Sequence, residues 1–134
     1  YNIFISMKKM SEGDPARAAA AAFTFDHTKN VFVFDDDIDV FNPTDILWAF
    51  ATRVQPHRQI SILQPLFRGN FLDPSLLDEI KTSGMIVDAT RPLDRPFSPV
   101  SKCPEEAMER IKLENFIPGE VLQHIPIDRT TYWA

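Results

Sequence analysis

The stretch VFVFDDDIDVFNP, residues 31–43, joins two structural patterns at one point of the chain. Its first four residues are apolar and either β-branched or aromatic, which predicts a buried strand. Its end, Asn42-Pro43, is typical of a helix start, because asparagine caps a first turn and proline fits the first helical position. The stretch therefore predicts a β-strand that turns through an acidic corner directly into an α-helix. The corner contains Asp35, Asp36, Asp37 and Asp39.

The same patterns recur along the chain. Four strands are predicted, at residues 2–7, 29–34, 59–63 and 84–89. Four helices, each beginning beside a proline, are predicted at residues 15–24, 43–54, 74–82 and 104–113. The apolar face of the second helix would consist of Ile46, Leu47, Phe50 and Val54. Strands that alternate with helices favour an α/β fold, here a three-layer α/β/α domain around a small, mostly parallel or mixed sheet.

The domain organisation follows from length and proline content. The 134 residues are 44% hydrophobic and 25% charged, as expected of one globular domain. Residues 91–104 are rich in proline and are expected to form an extended connection, and residues 118–134 a tail with one short helix. Because a strand-like segment is already under way at residue 2, we expect residues 1–134 to be a single domain from a longer polypeptide.

Composition argues against several classes of function. The net charge of −5 disfavours nonspecific nucleic-acid binding, which needs clustered lysine and arginine. The sequence contains no run of 18 apolar residues, so no membrane span is predicted. The single cysteine, Cys103, excludes an internal disulfide and fits a reducing compartment.

The acidic corner allows three interpretations. A calcium loop is excluded, because the sixth and twelfth positions require Gly and Glu but hold Val40 and Ile46. A magnesium site or a ligand site remains open, since open α/β sheets bind ligands at the carboxyl ends of strands. The structural interpretation is a helix-start corner in which the carboxylates pair with Arg53 and Arg58.

Other reactive residues form no recognisable site. His27, His57 and His124 lack the spacing of paired metal ligands. Cys103 precedes a proline at a predicted helix start, and its neighbours complete no catalytic motif. Phosphate-binding glycine motifs and the nucleophile elbow are absent from the sequence. The residues alone thus give an α/β domain without a complete active site.

Four pieces of the sequence together resemble one family. The run VFVFDDDIDVFNPTDILWAFATRVQP (31–56) resembles the signature of the C-terminal domain of UbiD-family decarboxylases. RGNFLDPS (68–75), TSGMIVDAT (82–90) and the opening ISMKK (5–9) resemble further family segments in the same order. The resemblance covers residues 3 to about 92. Gly84 and Ile86 depart from it, since the family usually has Lys and Gly at these positions.

The resemblance implies an enzyme for reversible, nonoxidative decarboxylation of an aromatic or α,β-unsaturated acid. Prenylated FMN, with Mn²⁺ and K⁺, would be the cofactor of the whole enzyme. The catalytic residues and metal ligands would lie in an upstream flavin-binding domain, so this chain would contain neither and would be inactive alone. A cytoplasmic homo-oligomer acting on a small carboxylic acid is implied. The alternative is a noncatalytic subunit or binding module with the same fold.

Two site assignments follow from the resemblance. Lys29 would touch the flavin, the alternative being an ordinary strand-edge residue. Leu66, Phe67 and Arg68, in the loop after the third strand, would line the substrate pocket, the alternative being ordinary loop packing. The family's metal ligands lie elsewhere, so the resemblance favours a structural role for Asp35 to Asp39.

Overall fold

Helices and strands alternate through most of the chain. The computed structural model describes residues 1–68, 73–76, 81–98, 101 and 104–124. It divides into two compact units, Tyr1–Phe97 and Ser98–Ala134. The strands of the first unit are β1 (Asn2–Met7), β2 (Asn30–Asp35), β3 (Ile60–Arg68) and β4 (Lys81–Ala89). Its α-helices are α1 (Asp14–Ala22), α2 (Pro43–Arg53) and α3 (Pro56–Gln59), and Pro74–Leu76 form a 3-10 turn.

The four strands form one mixed sheet in the order β1-β2-β4-β3. β1, β2 and β4 are parallel, whereas β3 runs antiparallel to β4. The parallel strands begin at one edge of the sheet, here called the amino edge, and end at the opposite carboxyl edge. β3 therefore ends at the amino edge, where Arg68 pairs with Lys81.

Alternating residues of β2 build a core on each face of the sheet. Val31 and Val33 face α1 and pack with Ala19 and Ala22, and all four are buried. Phe34 belongs to the opposite core, with Ala49 of α2 and Val87 of β4, all of them fully buried. A central parallel strand is apolar on both faces because helices cover both. The structure thus confirms the α/β class with helices on both sides of a small mixed sheet.

The apolar face predicted for α2 is confirmed for Ile46 and Val54, which pack in the core, but it is wrong for Leu47 and Phe50. Leu47 is 68% and Phe50 38% exposed, whereas Ala49 and Arg53 are the buried residues of the helix. Charged side chains are rarely buried unless they have partners. Here Arg53 has partners, and small Ala49 faces the sheet instead of the larger side chains.

The prolines lie at the starts of helical segments, although two of these segments differ from prediction. Asn42 caps α2 as predicted, its side chain accepting from the Thr44 amide at 2.9 Å. Asp14 instead closes the preceding turn, where it accepts from the amides of Met10 and Ser11. The helix predicted over 74–82 is a 3-10 turn at its start, and Lys81 and Thr82 already belong to β4. Pairing with β3 therefore overrides the local helical pattern there.

The third strand is longer than predicted, since β3 continues through Pro65 to Arg68. Leu63 pairs with Gly84 and Phe67 with Thr82, so residues 64–66 form an irregularity in the ladder. Proline lacks the amide hydrogen that a ladder needs, and edge strands and bulges tolerate it. Leu66, Phe67 and Arg68 are therefore strand residues, and their placement in a loop after the strand was wrong.

The second unit is described over residues 98, 101 and 104–124. It contains α4 (Glu105–Arg110), a 3-10 turn (Leu113–Asn115) and α5 (Gly119–Leu122). α5 confirms the short helix predicted near residue 119. Cys103 and the end of the predicted tail lie outside the described residues. Among the helices described in either unit, none combines the length and apolar character that crossing a membrane requires.

Phe34 provides a test of the core. Because its side chain is fully buried between β2, α2 and β4, Phe34→Ala should lower the free energy of unfolding by about 3–5 kcal/mol. Phe41→Ala, at a side chain that is 92% exposed, should change it by no more than about 0.5 kcal/mol. Urea unfolding followed by circular dichroism measures both variants. Equal losses would show that Phe34 is not a core residue.

Candidate functional site

The acidic corner lies at the carboxyl edge and is organised by Arg53. This guanidinium, at the end of α2, donates from Nη1 to Asp35 Oδ2 at 2.8 Å and to Asp37 Oδ1 at 2.9 Å. Its Nη2 donates to Asp37 Oδ2 at 2.8 Å. The ring of Trp48 lies over the same group, 5.2 Å from Cζ. The predicted ion pairing with Arg53 is therefore confirmed.

The second cation of the corner is Arg91, just beyond β4. Its Nε lies 3.4 Å from Asp35 Oδ2 and its Nη1 3.7 Å from Asp37 Oδ2. Among the ion pairs of the described residues, none joins Arg58, the other predicted partner, to these aspartates. Two carboxylates thus face two guanidinium groups, and their formal charges cancel.

Carboxylates at this edge also accept hydrogen bonds from the backbone of the segment that follows β4. Asp35 accepts from the Arg91 amide at 2.8 Å. Glu12 accepts from the Leu93 amide and, at 2.6 Å, from Lys9, whose side chain is almost fully buried. Lys9 also donates to the Arg91 carbonyl at 3.0 Å. The segment that follows β4 is thereby fixed to the ends of β1 and β2.

The electrostatics of the corner argue against acid–base chemistry. Hydrogen bonds from Arg53 hold the pKa of Asp37 below its usual value, despite partial burial. The hydrogen bond from Lys9 likewise lowers the pKa of Glu12. A general acid or base works best with a pKa near the operating pH, and both carboxylates are shifted away from it. Over the described parts of the chain, no three histidine, cysteine or acidic side chains are grouped so as to bind a metal.

The amino edge holds the predicted cofactor contact, Lys29. Its Nζ donates to Asp73 Oδ2 and to Ser75 Oγ, each at 2.6 Å. The second oxygen of Asp73 accepts from the amide and the hydroxyl of Ser75, at 3.0 and 2.7 Å. The hydrogen bond from Lys29, followed by those from Ser75, lowers the pKa of Asp73 to about 2. Lys29, Asp73 and Ser75 are called the amino-edge triad below.

The structure brings the two predicted site assignments to the same edge. Lys29 directly precedes β2, and the backbone of Leu66, Phe67 and Arg68 forms the end of β3 at that edge. The histidines remain apart in the chain: His27 follows α1, His57 lies in α3, and Nδ1 of His124 is 2.8 Å from the Glu120 carbonyl in α5. The candidate functional site is therefore the amino edge.

Sequence reasoning missed the partners of Lys29 and the second cation of the acidic corner. Asp73 and Ser75 lie 44 and 46 residues after Lys29, and Arg91 lies 56 residues after Asp35. Asp73-Pro74 indicated the start of a helical segment, but it gave no indication of which cation that segment would meet. Pairing across such separations depends on strand order, which local patterns do not specify.

Loss of Arg53 should be costly. Arg53→Met leaves Asp35 buried at 5% exposure without its closest guanidinium, so unfolding free energy should fall by about 3–5 kcal/mol. Arg17→Met is the control, because the Arg17 side chain is 84% exposed and 3.9 Å from Asp14; it should cost no more than about 1 kcal/mol. Urea denaturation at neutral pH compares them. A loss at Arg53 as small as that at Arg17 would contradict the role assigned to Arg53.

The shifted pKa of Asp73 predicts an acid-dependent loss of stability. A carboxyl whose folded pKa is about 2, against an ordinary value of 3.8, stabilises the fold fully above that ordinary value. The contribution is lost as pH falls towards the folded pKa, because the unfolded state binds the proton more readily. NMR titration should find Asp73 titrating near 2, and Lys29→Met should raise that pKa towards 3.8.

The internal control for this titration is Asp14. Backbone hydrogen bonds from Met10 and Ser11 lower its pKa, so Lys29→Met should leave it unchanged. An Asp73 pKa that did not move in Lys29→Met would show that the ion pair does not form in solution.

Comparison with known proteins identifies the family of the chain. The family model described as the C-terminal domain of 3-octaprenyl-4-hydroxybenzoate carboxy-lyase, UbiD, matches residues 1–89 of the 134. Anhydromevalonate phosphate decarboxylase from Aeropyrum pernix is 44% identical over 91 residues, which are 67% of this chain and 20% of that protein. Gallate decarboxylase from Lactiplantibacillus plantarum is 33% identical over 93 residues, 62% of this chain and 19% of that protein.

Solved structures of the same class superpose on the chain. The UbiD-class enzyme HmfF from Pelotomaculum thermopropionicum, in complex with FMN, has a TM-score of 0.68 at 34% identity, covering 86% of this chain and 26% of its own. An evolved dimeric form of HmfF in complex with prFMN has a TM-score of 0.56 at 32% identity, covering 86% and 23%. The chain thus spans about a quarter or less of the length of these relatives. From the family match, the relatives and the shared fold, we conclude that the chain belongs to the UbiD family of decarboxylases and corresponds to its C-terminal domain.

Proposed function

We propose that this chain is the C-terminal domain of a carboxy-lyase that reversibly and nonoxidatively decarboxylates an aromatic or α,β-unsaturated carboxylic acid. The observation that carries the proposal is the family match over residues 1–89, together with relatives that are decarboxylases of anhydromevalonate phosphate and gallate. The domain would help to close the active site and make oligomer contacts in a cytoplasmic enzyme.

Prenylated FMN is the cofactor we propose for the whole enzyme, supported by neighbours in complex with FMN and prFMN. When bound, it would supply the covalent chemistry of decarboxylation. Mn²⁺ and K⁺ are proposed to bind upstream with it. Asp35 and Asp37 are paired with Arg53 and Arg91, and the described residues contain no group of three side chains arranged to bind a metal. In this chain, Lys29 is the predicted flavin contact and residues 66–68 are the predicted wall of the substrate pocket.

The whole gene product tests this proposal. Its intact mass should be several times the 15.3 kDa of this chain, and the purified protein should show flavin absorbance. Carbon dioxide release should be assayed with gallate, 3,4-dihydroxybenzoate and anhydromevalonate phosphate. Turnover of at least one acid, dependent on the flavin, is the expected result.

Two outcomes would contradict it. A gene product of about 15.3 kDa would favour the alternative of a noncatalytic subunit that shares the fold. A larger product that binds flavin but releases no carbon dioxide from any of the three acids would argue against this substrate class. A matched protein lacking residues 1–134 provides the control for the contribution of this domain.

A further inference from the structure

We propose that Lys29 is a positioning residue: through Asp73, it holds the turn Pro74–Leu76 at the amino edge of the sheet, and it does not itself bind the flavin. The inference rests on the proposed function, because the segment it positions connects the predicted substrate wall at the end of β3 with β4. It replaces the predicted flavin contact with a mechanical role for the same side chain.

The backbone of Lys29 is hydrogen-bonded on both sides. Its amide donates to the Tyr1 carbonyl at 2.8 Å, and its carbonyl accepts from the Met85 amide at 2.9 Å. The backbone is therefore held from β1 on one side and from β4 on the other. A side chain on such a backbone can hold a neighbouring segment in place, because the hydrogen bonds restrict movement of the backbone.

Asp73 is held at both carboxylate oxygens. Oδ2 takes the Lys29 ammonium, while Oδ1 takes the amide and hydroxyl of Ser75. The Leu76 amide closes the turn by donating to the Asp73 carbonyl at 3.1 Å. The same carboxylate thus shapes the turn and attaches it to the sheet, so that moving the turn would break a charge-assisted hydrogen bond of 2.6 Å.

The charge balance of the triad disfavours a flavin phosphate at Lys29. A phosphate approaching the ammonium would also meet the Asp73 carboxylate, 2.6 Å from Nζ. The side chains of Lys29 and Asp73 are 29% and 11% exposed, so water screens this repulsion incompletely. The paired lysine therefore attracts an anion much less than a free lysine would.

The β3–β4 ribbon contains the predicted substrate wall, and the turn held by Lys29 lies in the connection between its strands. β4 starts at Lys81, opposite Arg68, whereas β2 meets β4 at Met85. The ribbon accordingly extends four residues beyond the start of β2, or about 13 Å at the rise of a strand. The turn at residues 74–76 lies in the connection between its two strands, and the triad attaches that connection to β2.

The test uses the whole gene product with Lys29→Met, Asp73→Asn and the double variant. Lys29→Arg serves as the conservative replacement, and Lys8→Met, at an exposed lysine, is the matched control. For each protein we would measure the dissociation constant of prenylated FMN. We would also measure KM and kcat for gallate, 3,4-dihydroxybenzoate and anhydromevalonate phosphate, and hydrogen exchange of the Ser75 and Leu76 amides.

A positioning role predicts matching effects in the two single variants. Both should raise KM about two- to fivefold, the scale of a partly exposed ion pair, with kcat and flavin affinity changed less than about twofold. The double variant should be little worse than either single one, because both single variants remove the Lys29–Asp73 ion pair. Hydrogen exchange of the Ser75 and Leu76 amides should accelerate in both single variants. Lys29→Arg should keep KM and amide exchange close to those of the unmodified protein, and Lys8→Met should match it.

Two results would overturn the inference. Weaker flavin binding in Lys29→Met but not in Asp73→Asn would make Lys29 a direct flavin contact. Unchanged amide exchange in both single variants would show that the pair does not hold the turn. Failure of the unmodified protein to decarboxylate any of the acids would count against the proposed function instead, and the exchange measurement would still decide whether Lys29 holds the turn.

Discussion

The structure at the carboxyl edge depends on one buried guanidinium. Arg53 ends α2, yet it is only 4% exposed, and both of its terminal nitrogens are bonded to the carboxylates that follow β2. A buried charge is tolerated when opposite charges and hydrogen bonds surround it. Since the same carboxylate also receives the amide of Arg91, this interaction links α2, the end of β2 and the segment after β4.

Arg53 has several hydrogen-bond partners, but one of its donors is unpaired. Its Nε is the one buried side-chain nitrogen or oxygen without a hydrogen-bond partner among the described residues. The flat face of the guanidinium is covered by Trp48, an arrangement that suits arginine better than lysine, because only the planar group can both stack and donate in a fork. Helix attachment thus accounts for Asp35 and Asp37 of the aspartate-rich corner.

The two edges of the sheet differ: the buried ion pairs lie at the carboxyl edge, and the predicted site residues lie at the amino edge. At the carboxyl edge, where open α/β sheets generally bind ligands, Asp35 and Asp37 are paired with Arg53 and Arg91. The candidate site lies at the amino edge, because β3 runs antiparallel and carries residues 66–68 there. The general rule for parallel sheets thus points to the carboxyl edge, whereas the predicted pocket residues lie at the amino edge because one strand is reversed.

The sequence alone determined the α/β class, the four strands and the starts of α2 and α5, since these depend on local periodicity, proline and capping side chains. It also indicated that Arg53 would pair with the acidic corner. Only the tertiary structure decided that α2 buries Ala49 and Arg53 rather than Leu47 and Phe50, that β3 passes through Pro65, and that Lys29 meets Asp73. These outcomes depend on strand order and on contacts between residues far apart in the chain, where packing and charge pairing outweigh the preferences of any short segment.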